Sequence, residues 1–276
     1  MRWLAALVAL GACDRALGLG PTQLADGMPI AFTCPPIGAT PQYYPTLLQV
    51  IDQPCNSYSF STAGLAMAYC TDGVDQHVST GPRDQPLVAA SGFDDPVDEP
   101  VEAVIGGDGT AIITYLDTNT RGFGYRTYTQ VGGAWQAGSE VLPETGSPNQ
   151  PYVIAGMTLA HHVIYANPND ATLHELADDG AGTWTEPRPP IAAPDLGMSE
   201  IFIVAITSDG LRLLLGGYPV DQNVDTMFYT DRPSTDVAFR PAEVIDGVPF
   251  GDAFLSDDCA RVYVTGLDRV FYLQQI

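Results

Sequence analysis

The sequence contains no lysine: its 11 basic residues are all arginines, and they stand against 33 aspartate and glutamate residues. The resulting formal net charge of −22 at pH 7 repels nucleic acid and anionic lipid surfaces. We therefore expect no nucleic-acid partner. The negative charge is scattered through predicted loops and is not gathered in a tail, which is typical of a solvated surface.

Helix signals and long hydrophobic runs are also missing. The 23 prolines and 28 glycines are spread along the chain, and no apolar period of 3.6 residues continues over three turns. Beyond residue 12, no stretch approaches the length needed to span a bilayer. What remains is a series of short apolar runs separated by turns, a pattern that predicts an all-β protein.

A repeat of 45 to 53 residues organises these runs into about five units. In each unit a predicted turn joins two short apolar runs, a third run follows a polar loop, and a fourth begins with an aromatic residue. Four strands per unit make a propeller blade. We predict a single five-bladed β-propeller with first turns at Ser61 to Gly64, Gly106 to Gly109, Ala155 to Met157, Ser208 to Gly210 and Ser256 to Asp258.

The two ends of the chain share one unit. The last unit stops at Ile276 after its third strand, while Thr46 to Asp52 precedes the first unit as an unpaired fourth strand. The phrase Val50-Ile51-Asp52 also matches Val244-Ile245-Asp246. Pairing the ends removes both open sheet edges, so we predict that the N-terminal strand closes the last blade of a domain spanning residues 46–276.

Two hairpins resemble a known family. Ile206 to Leu215 (ITSDGLRLLL) and Phe254 to Tyr263 (FLSDDCARVY) resemble the "SPDG-x-x-L-x-F" hairpin of TolB-type, WD40-like propellers. The resemblance is good from Glu200 to Ile276 and weaker elsewhere. It implies a propeller fold and carries no catalytic residues with it.

The N-terminus resembles a bacterial lipoprotein signal peptide. Met1-Arg2 precedes the apolar run Trp3 to Leu10, and Leu10-Gly11-Ala12-Cys13 resembles the lipobox that is cut before cysteine. We expect a signal peptide at 1–12, a lipidated Cys13 and a tether at 13–45. The protein would then lie in the bacterial cell envelope, at the inner or the outer membrane, and would contact the membrane through its anchor only. Ordinary secretory cleavage after Gly18 is the alternative.

The remaining four cysteines predict two disulfides in an oxidising compartment. A hairpin register in which Ser61 faces Gly64 also places Cys55 opposite Cys70, within disulfide reach. By elimination, Cys34 would pair with Cys259. A metal site is the alternative, but the sequence has neither a Cys-x-x-Cys motif nor a suitably spaced histidine set. We therefore predict no metal site on the cysteines.

Acidic and amide residues are frequent in the predicted loops that gather around one mouth of the channel. An oxygen-rich rim of this kind fits Ca²⁺ or sugar hydroxyls, although turn chemistry alone also places Asp and Asn in such loops. We predict no cofactor, with Ca²⁺ as the open alternative. The candidate rim residues are Asp98, Glu99, Gln150, Glu200 and Asp252.

Two classes of function fit this sequence. The first is a monomeric, non-enzymatic binding or scaffolding platform for a protein or glycan partner in the envelope. The second is a five-bladed glycoside hydrolase of the arabinanase type, which needs separated carboxylates at the channel mouth. The first blade's innermost strand, Asn56 to Phe60, contains no carboxylate, although Glu99, Glu102 and Glu200 leave an unusual arrangement open. We favour the platform and predict no catalytic residue; two carboxylates converging in the channel would favour the enzyme.

Overall fold

The computed structural model describes residues 33–72, 75–93, 98–117, 122–145, 151–179, 183–266 and 269–276. Its strands form five antiparallel sheets around a central channel, which confirms the predicted five-bladed β-propeller. One short 3-10 helix, Ala193–Leu196, leads into the fourth blade. Within the described ranges, no helix has the length and hydropathy needed to cross a bilayer.

Each sheet is one blade, whose strands follow one another from the channel outward. A strand from the N-terminal region, β1 (Leu48–Ile51), precedes blade 1. Blade 1 contains β2 (Cys55–Phe60), β3 (Leu65–Asp72), β4 (Asp75–Pro82) and β5 (Val88–Ala89). Blade 2 contains β6 (Asp98–Ile105), β7 (Ala111–Asp117), β8 (Phe123–Val131) and β9 (Ala134–Thr145). Blade 3 contains β10 (Val153–Met157), β11 (His162–Asn167), β12 (Thr172–Asp178), β13 (Trp184–Thr185) and β14 (Ile191–Ala192). Blade 4 contains β15 (Met198–Ile206), β16 (Arg212–Pro219), β17 (Thr226–Asp231) and β18 (Glu243–Val244). Blade 5 contains β19 (Asp252–Leu255), β20 (Arg261–Gly266) and β21 (Arg269–Gln274).

The N-terminal strand closes blade 5, as predicted. β1 pairs antiparallel with β21, with Leu48 opposite Tyr272 and Ile51 opposite Val270. The strand is shorter than the predicted Thr46 to Asp52. The segment before it is also fixed, because the buried Tyr43 hydroxyl donates a 2.8 Å hydrogen bond to the carbonyl oxygen of Cys259.

Both predicted disulfides are present. Cys55 lies directly opposite Cys70 in the ladder between β2 and β3, and the two are bonded. Cys34 is bonded to Cys259 across a sequence separation of 225. The second bond joins the segment before β1 to the turn that opens β20.

The turn between the first two strands of every blade ends in a residue with positive φ. Glycine occupies that position in three blades, because it adopts this conformation without steric cost. His161 (φ 57°) and Cys259 (φ 56°) occupy it in blades 3 and 5. The predicted third turn, Ala155 to Met157, was wrong: these residues lie in β10, and the turn is Thr158 to His161. The glycine that suggested a turn, Gly156 (φ 117°), belongs to a β-bulge.

Aspartate side chains stabilise the repeated turns. Asp209 Oδ1 accepts hydrogen bonds from the Thr207 hydroxyl at 2.6 Å and from the Leu211 backbone N–H at 2.9 Å. Asp258 Oδ1 makes the same pair of contacts with the Ser256 hydroxyl and the Ala260 N–H, at 2.7 and 3.0 Å. The repeated Ser/Thr-x-Asp phrase therefore encodes the turn itself.

The sequence predicts one outermost strand in blade 3, Trp184 to Ala192, and one in blade 4, Phe239 to Ile245; both are shorter in the structure. Trp184 to Ala192 forms the two short strands β13 and β14, and Phe239 to Ile245 forms only β18. Prolines explain the difference, because a proline has no N–H to donate to the neighbouring strand. They lie at positions 187, 189, 190 and 241.

Successive blades are joined through their first turns. Backbone N–H groups of Thr62, Gly107 and Leu159 donate to carbonyl oxygens of the next blade, at 3.0, 3.0 and 2.8 Å. The Ser208 N–H continues the series to Asp257 Oδ1 at 2.6 Å. Among the described residues, no such bond links the turns of blades 5 and 1. A cluster replaces it there, in which Asp84 accepts from Arg261 at 2.7 Å and from the Tyr263 hydroxyl at 2.9 Å.

Candidate functional site

The propeller has two faces with different contents. We call the face that carries the first-to-second strand turns the turn face. The opposite face, here called the rim face, carries the starts of the innermost strands and the loops between second and third strands. The predicted rim residues Asp98, Glu99, Glu200 and Asp252 belong to this second face.

All five innermost strands line a narrow cavity in the channel. The space open to the centres of water-sized molecules is about 30 Å³. That is room for a few water molecules but not for a sugar ring. The lining residues are Ser57, Tyr58, Ser59, Glu102, Val104, Val153, Ile154, Ala155, Ile203, Val204, Ala205, Asp252, Ala253 and Phe254.

Two carboxylates, those of Glu102 on β6 and Asp252 on β19, line this cavity on either side of blade 1. Burial, followed by the negative charge of Asp252, raises the pKa of Glu102 to about 8. Asp252 lies at the channel mouth, where part of its surface is exposed to water. The surrounding protein still desolvates its carboxylate and raises its pKa. Among the described residues, no arginine or histidine lies within ion-pair distance of either group. The pair therefore has no neighbouring cation among the described residues.

Only weak hydrogen bonds hold the Glu102 side chain. The Thr114 hydroxyl donates to Glu102 Oε2 at 3.3 Å, and the Ser57 hydroxyl donates to Oε1 at 3.5 Å. Both distances are long for a hydroxyl donor. The oxygens consequently retain acceptor capacity toward a ligand.

β-Bulges determine which side chains line the cavity. The ladder between β6 and β7 shifts register between Pro100 and Glu102, so Val101 is an extra residue. In β2 the register shifts between Asn56 and Ser59, and Ser57 has a positive φ of 57°, which is uncommon for a residue other than glycine. Such bulges re-aim side chains, and here they bring Ser57 toward Glu102.

The predicted rim residues have different outcomes. Asp252 lines the cavity mouth. Glu200 lies near the rim end of β15 opposite Tyr218, where it is exposed and does not line the cavity. Asp98 and Glu99 form the rim end of β6, and Gln150 lies outside the described residues. Glu102 was missing from the predicted rim, because simple strand alternation does not reveal the bulge at Val101.

Partly exposed aromatic rings lie on the rim side of the propeller, outside the cavity lining. Phe202 and Tyr218 contact each other edge to face, with ring centroids 5.0 Å apart. Tyr152, just before β10, stacks on Tyr125 at 5.5 Å. Phe250, just before β19, is 37% exposed. Flat apolar surfaces beside hydrogen-bonding groups suit ligands that present both kinds of surface.

A second buried carboxylate has the opposite environment. Glu175, in the seam between blades 3 and 4, accepts hydrogen bonds from the fully buried Arg232 at 2.8 and 2.9 Å. His162 Nδ1 lies 2.7 Å away, and Arg188 Nε lies 3.2 Å away. Burial raises the pKa of Glu175, but the bonds from Arg232 and His162 outweigh it and the net pKa is lowered. The side chain is fully paired and therefore serves the scaffold.

A triad-like arrangement lies at the edge of blade 3. His174 Nδ1 is 2.7 Å from Glu186 Oε1, and its Nε2 is 2.7 Å from the Thr172 hydroxyl. The Thr172 hydroxyl, however, donates its proton to Asp170. The imidazole does not accept that proton, so the arrangement lacks the nucleophile-to-base bond of a catalytic triad.

The described residues contain no group of three or more His, Cys, Asp or Glu side chains positioned to hold a metal ion. Glu102 and Asp252 alone provide fewer oxygens than the six to eight that Ca²⁺ takes. A Ca²⁺ ion at this mouth would need oxygens from water or from a ligand.

No family model and no curated protein matches the chain. Among solved structures, a Hadza microbial sialidase superposes with a TM-score of 0.51 at 12% identity, covering 80% of this chain and 52% of that one. A gluconolactonase from Xanthomonas campestris has a TM-score of 0.46 at 12% identity, with 90% and 99% coverage. A protein of unknown function from Desulfotomaculum acetoxidans has a TM-score of 0.46 at 13% identity, and the chain spans only 62% of its length.

At these identities the comparisons concern the fold alone. Fold and site together define the class: a five-bladed β-propeller, closed by its N-terminal strand, with a pair of carboxylates at one mouth of a narrow channel. Function has to be argued from that mouth.

Proposed function

We propose that the protein is an envelope-anchored lipoprotein whose propeller is a non-enzymatic binding platform, with the ligand bound over the channel mouth on the rim face. The observation that carries this proposal is the pair formed by Glu102 and Asp252, which has no counter-cation among the described residues and retains free acceptor capacity. Glu175, a structural carboxylate, has arginine and histidine partners, whereas Glu102 and Asp252 have no cationic partner among the described residues.

Between a protein and a glycan partner, the rim favours a glycan. Carboxylate and hydroxyl groups at the mouth match sugar hydroxyls, and the rings of Tyr152, Phe202 and Phe250 offer flat apolar surfaces for the faces of sugar rings. The cavity is too narrow for a sugar to enter, so the glycan would lie across the mouth. A cation held jointly by the carboxylates and the sugar is compatible with this arrangement.

The test is a glycan array probed with protein lacking residues 1–13, followed by calorimetry with and without Ca²⁺. Asp252→Asn should weaken binding of a captured glycan at least about tenfold, since loss of a charged hydrogen-bond partner costs about 1.5–3 kcal/mol. Asp236→Asn, an exposed change on the turn face, should leave affinity unchanged. Equal affinity of the Asp252→Asn variant, or capture of no glycan, would remove the glycan assignment.

A glycoside hydrolase is the second candidate, because the structure brings two carboxylates to the same cavity; it comes second because that cavity is too narrow for a sugar ring to lie between them. A pKa of about 8 favours the protonated form of Glu102 at neutral pH, which a general acid needs, and the more accessible Asp252 lines the same cavity. Release of reducing ends from any captured polysaccharide, abolished by Glu102→Gln, would establish the enzyme. Binding without release supports the platform.

We also propose the finer assignments of the N-terminus and the repeat. The turns built around Asp209 and Asp258 support a TolB-type, WD40-like repeat. The lipobox Leu10 to Cys13 supports lipidation. Metabolic labelling with a fatty-acid analogue should label the wild-type chain and not Cys13→Ala; label retained in the variant would refute the lipobox.

A further inference from the structure

The N-terminal segment leaves the propeller on the turn face. Cys34 is bonded to Cys259, the last residue of the blade 5 turn, and its sulfur also lies 3.2 Å from the carbonyl oxygen of Asp257 in that turn. Four residues later, the Gly38 N–H donates to Asp231 at the turn-face end of β17. A lipid on Cys13 is therefore connected to this face by only 21 further residues.

The rim face carries a strong negative charge. Among the described residues, Arg269 is the one arginine at the rim end of a strand or in an adjoining loop. Against it stand Asp52, Asp75, Asp170, Asp195, Glu200, Asp221, Asp225 and Asp252.

The turn face has a different charge distribution. It gathers five arginines, each within 4 Å of a carboxylate, which compensate the charges of Asp84, Glu175, Asp209 and Asp231, while Asp236, Asp257 and Asp258 remain as exposed acidic residues on this face. The five arginines are Arg83, Arg212, Arg232, Arg240 and Arg261. Anionic lipid consequently repels the turn face less than the rim face.

Tether length alone does not set the orientation. A chain of 21 residues reaches at most about 70 Å, whereas an eight-residue strand is about 26 Å long. The anchor is long enough to pass around the edge of the propeller. The attachment point lies on the turn face, and the charge asymmetry makes that face the less repelled by anionic lipid. Both therefore favour an orientation with the turn face toward the membrane.

We propose that the protein lies on its membrane with the turn face toward the bilayer and the rim face toward the aqueous compartment. This inference rests on the proposed lipidation of Cys13. It adds a constraint on the partner: the ligand reaches the channel mouth from the aqueous side, and membrane lipid does not.

The experiment measures energy transfer between the protein and a lipid-borne acceptor. A chain beginning at Cys13 is ligated to a lipid thioester at its N-terminal cysteine and incorporated into vesicles containing anionic lipid. A fluorophore is attached to an azide-bearing residue in place of either Asp225 on the rim face or Asp236 on the turn face, both exposed. We expect greater transfer from the Asp236 position.

Equal transfer from the two positions, or greater transfer from the Asp225 position, would overturn the orientation. In 1 M salt the Debye length falls to about 3 Å, so the difference in energy transfer between the Asp236 and Asp225 positions should shrink. Since the lipid is attached chemically, this result does not depend on native acylation. Metabolic labelling tests the anchor separately, so failure of the anchor and failure of the orientation are distinguishable.

Discussion

Glu175 and Glu102 are two carboxylates in one propeller with opposite environments. Glu175, in the seam between blades 3 and 4, is surrounded by Arg232, Arg188 and His162, and its net pKa is lowered. Glu102, at the channel mouth, has two long hydroxyl contacts and a carboxylate neighbour, and its pKa is raised. The buried carboxylate in the seam has a full set of partners, whereas the carboxylate at the mouth has few. Underpaired groups cost stability and are retained where a ligand binds.

The largest expected effect is on the scaffold at the closing blade. Deleting residues 14–52 removes β1 and leaves the edge of β21 unpaired, so we expect aggregated or unfolded protein. Size-exclusion chromatography and circular dichroism measure this. A folded monomer would show that closure is dispensable.

The disulfides should rank by the length of chain that they enclose. By chain-entropy arguments, the double change Cys34→Ala with Cys259→Ala costs up to about 5 kcal/mol, and Cys55→Ala with Cys70→Ala costs about 3 kcal/mol. The denaturation midpoints of the two variants measure the order. The reverse order would show that the entropy of the enclosed loop does not determine the stabilisation.

Breaking the ion network of the seam should cost nearly as much. Arg232→Met leaves Glu175 buried with fewer partners, and loss of one partner of a buried pair costs about 3–5 kcal/mol. The double variant Glu175→Met with Arg232→Met should recover part of that cost, because no charge is then left unpaired. Denaturant unfolding compares the two; equal costs would contradict the pairing argument.

The two carboxylates should give opposite pH dependences. The pKa of Glu175 is lower in the folded protein than in the unfolded chain. Glu175 therefore stabilises the fold at pH values above its ordinary pKa, and this contribution is lost as the pH falls through the folded-state pKa. Glu102, with a pKa raised from 4.5 to about 8, destabilises the fold as the pH rises between those values. Glu102→Gln should therefore flatten the decline in melting temperature from pH 5 to pH 8. An unchanged profile would show that Glu102 ionises freely in the folded protein.

The smallest effect is expected from Thr114→Val. It removes one long hydrogen bond to Glu102 without changing the side-chain shape, so the stability loss should be about 1 kcal/mol or less. The pKa of Glu102 should rise further, since the Thr114 hydroxyl favours the charged form. Titration followed by the carboxyl carbon resonance in NMR spectra measures this. A fall in pKa would mean that the hydroxyl does not donate to the carboxylate.

Most of the fold was predictable because it is written in local patterns. The turn phrases and the matched Val-Ile-Asp segments depend on residues that are repeated in the sequence. Cys55 lies opposite Cys70 as predicted, although the ladder next to the turn is shifted by one residue, with Phe60 opposite Ala66, and the bulge between Asn56 and Ser59 restores the register. The third turn was misplaced because His161 occupies the position that glycine fills in other blades.

The site was less predictable because it depends on side chains from distant parts of the sequence meeting in the channel. Glu102 and Asp252 lie on blades 2 and 5, and a bulge that alternation does not reveal sets the direction of Glu102. Of the two predicted rim residues whose side chains the structure describes, Glu200 and Asp252, only Asp252 lines the cavity. The distance between two side chains across a channel is a tertiary property, and no local pattern in this sequence encodes it.

The bond between Cys34 and Cys259 also has a mechanical consequence. A pulling force applied to the N-terminus and resisted by the propeller passes through this covalent bond into blade 5. β1 follows Cys34 in the chain, so the force enters blade 5 at Cys259 and is not applied directly to the pairing of β1 with β21. Pulling on both termini would extend only the segment beyond Cys259, which contains β20 and β21 and adds about 60 Å of contour length. A propeller built in this way tolerates tension on its N-terminal segment without separation of β1 from β21.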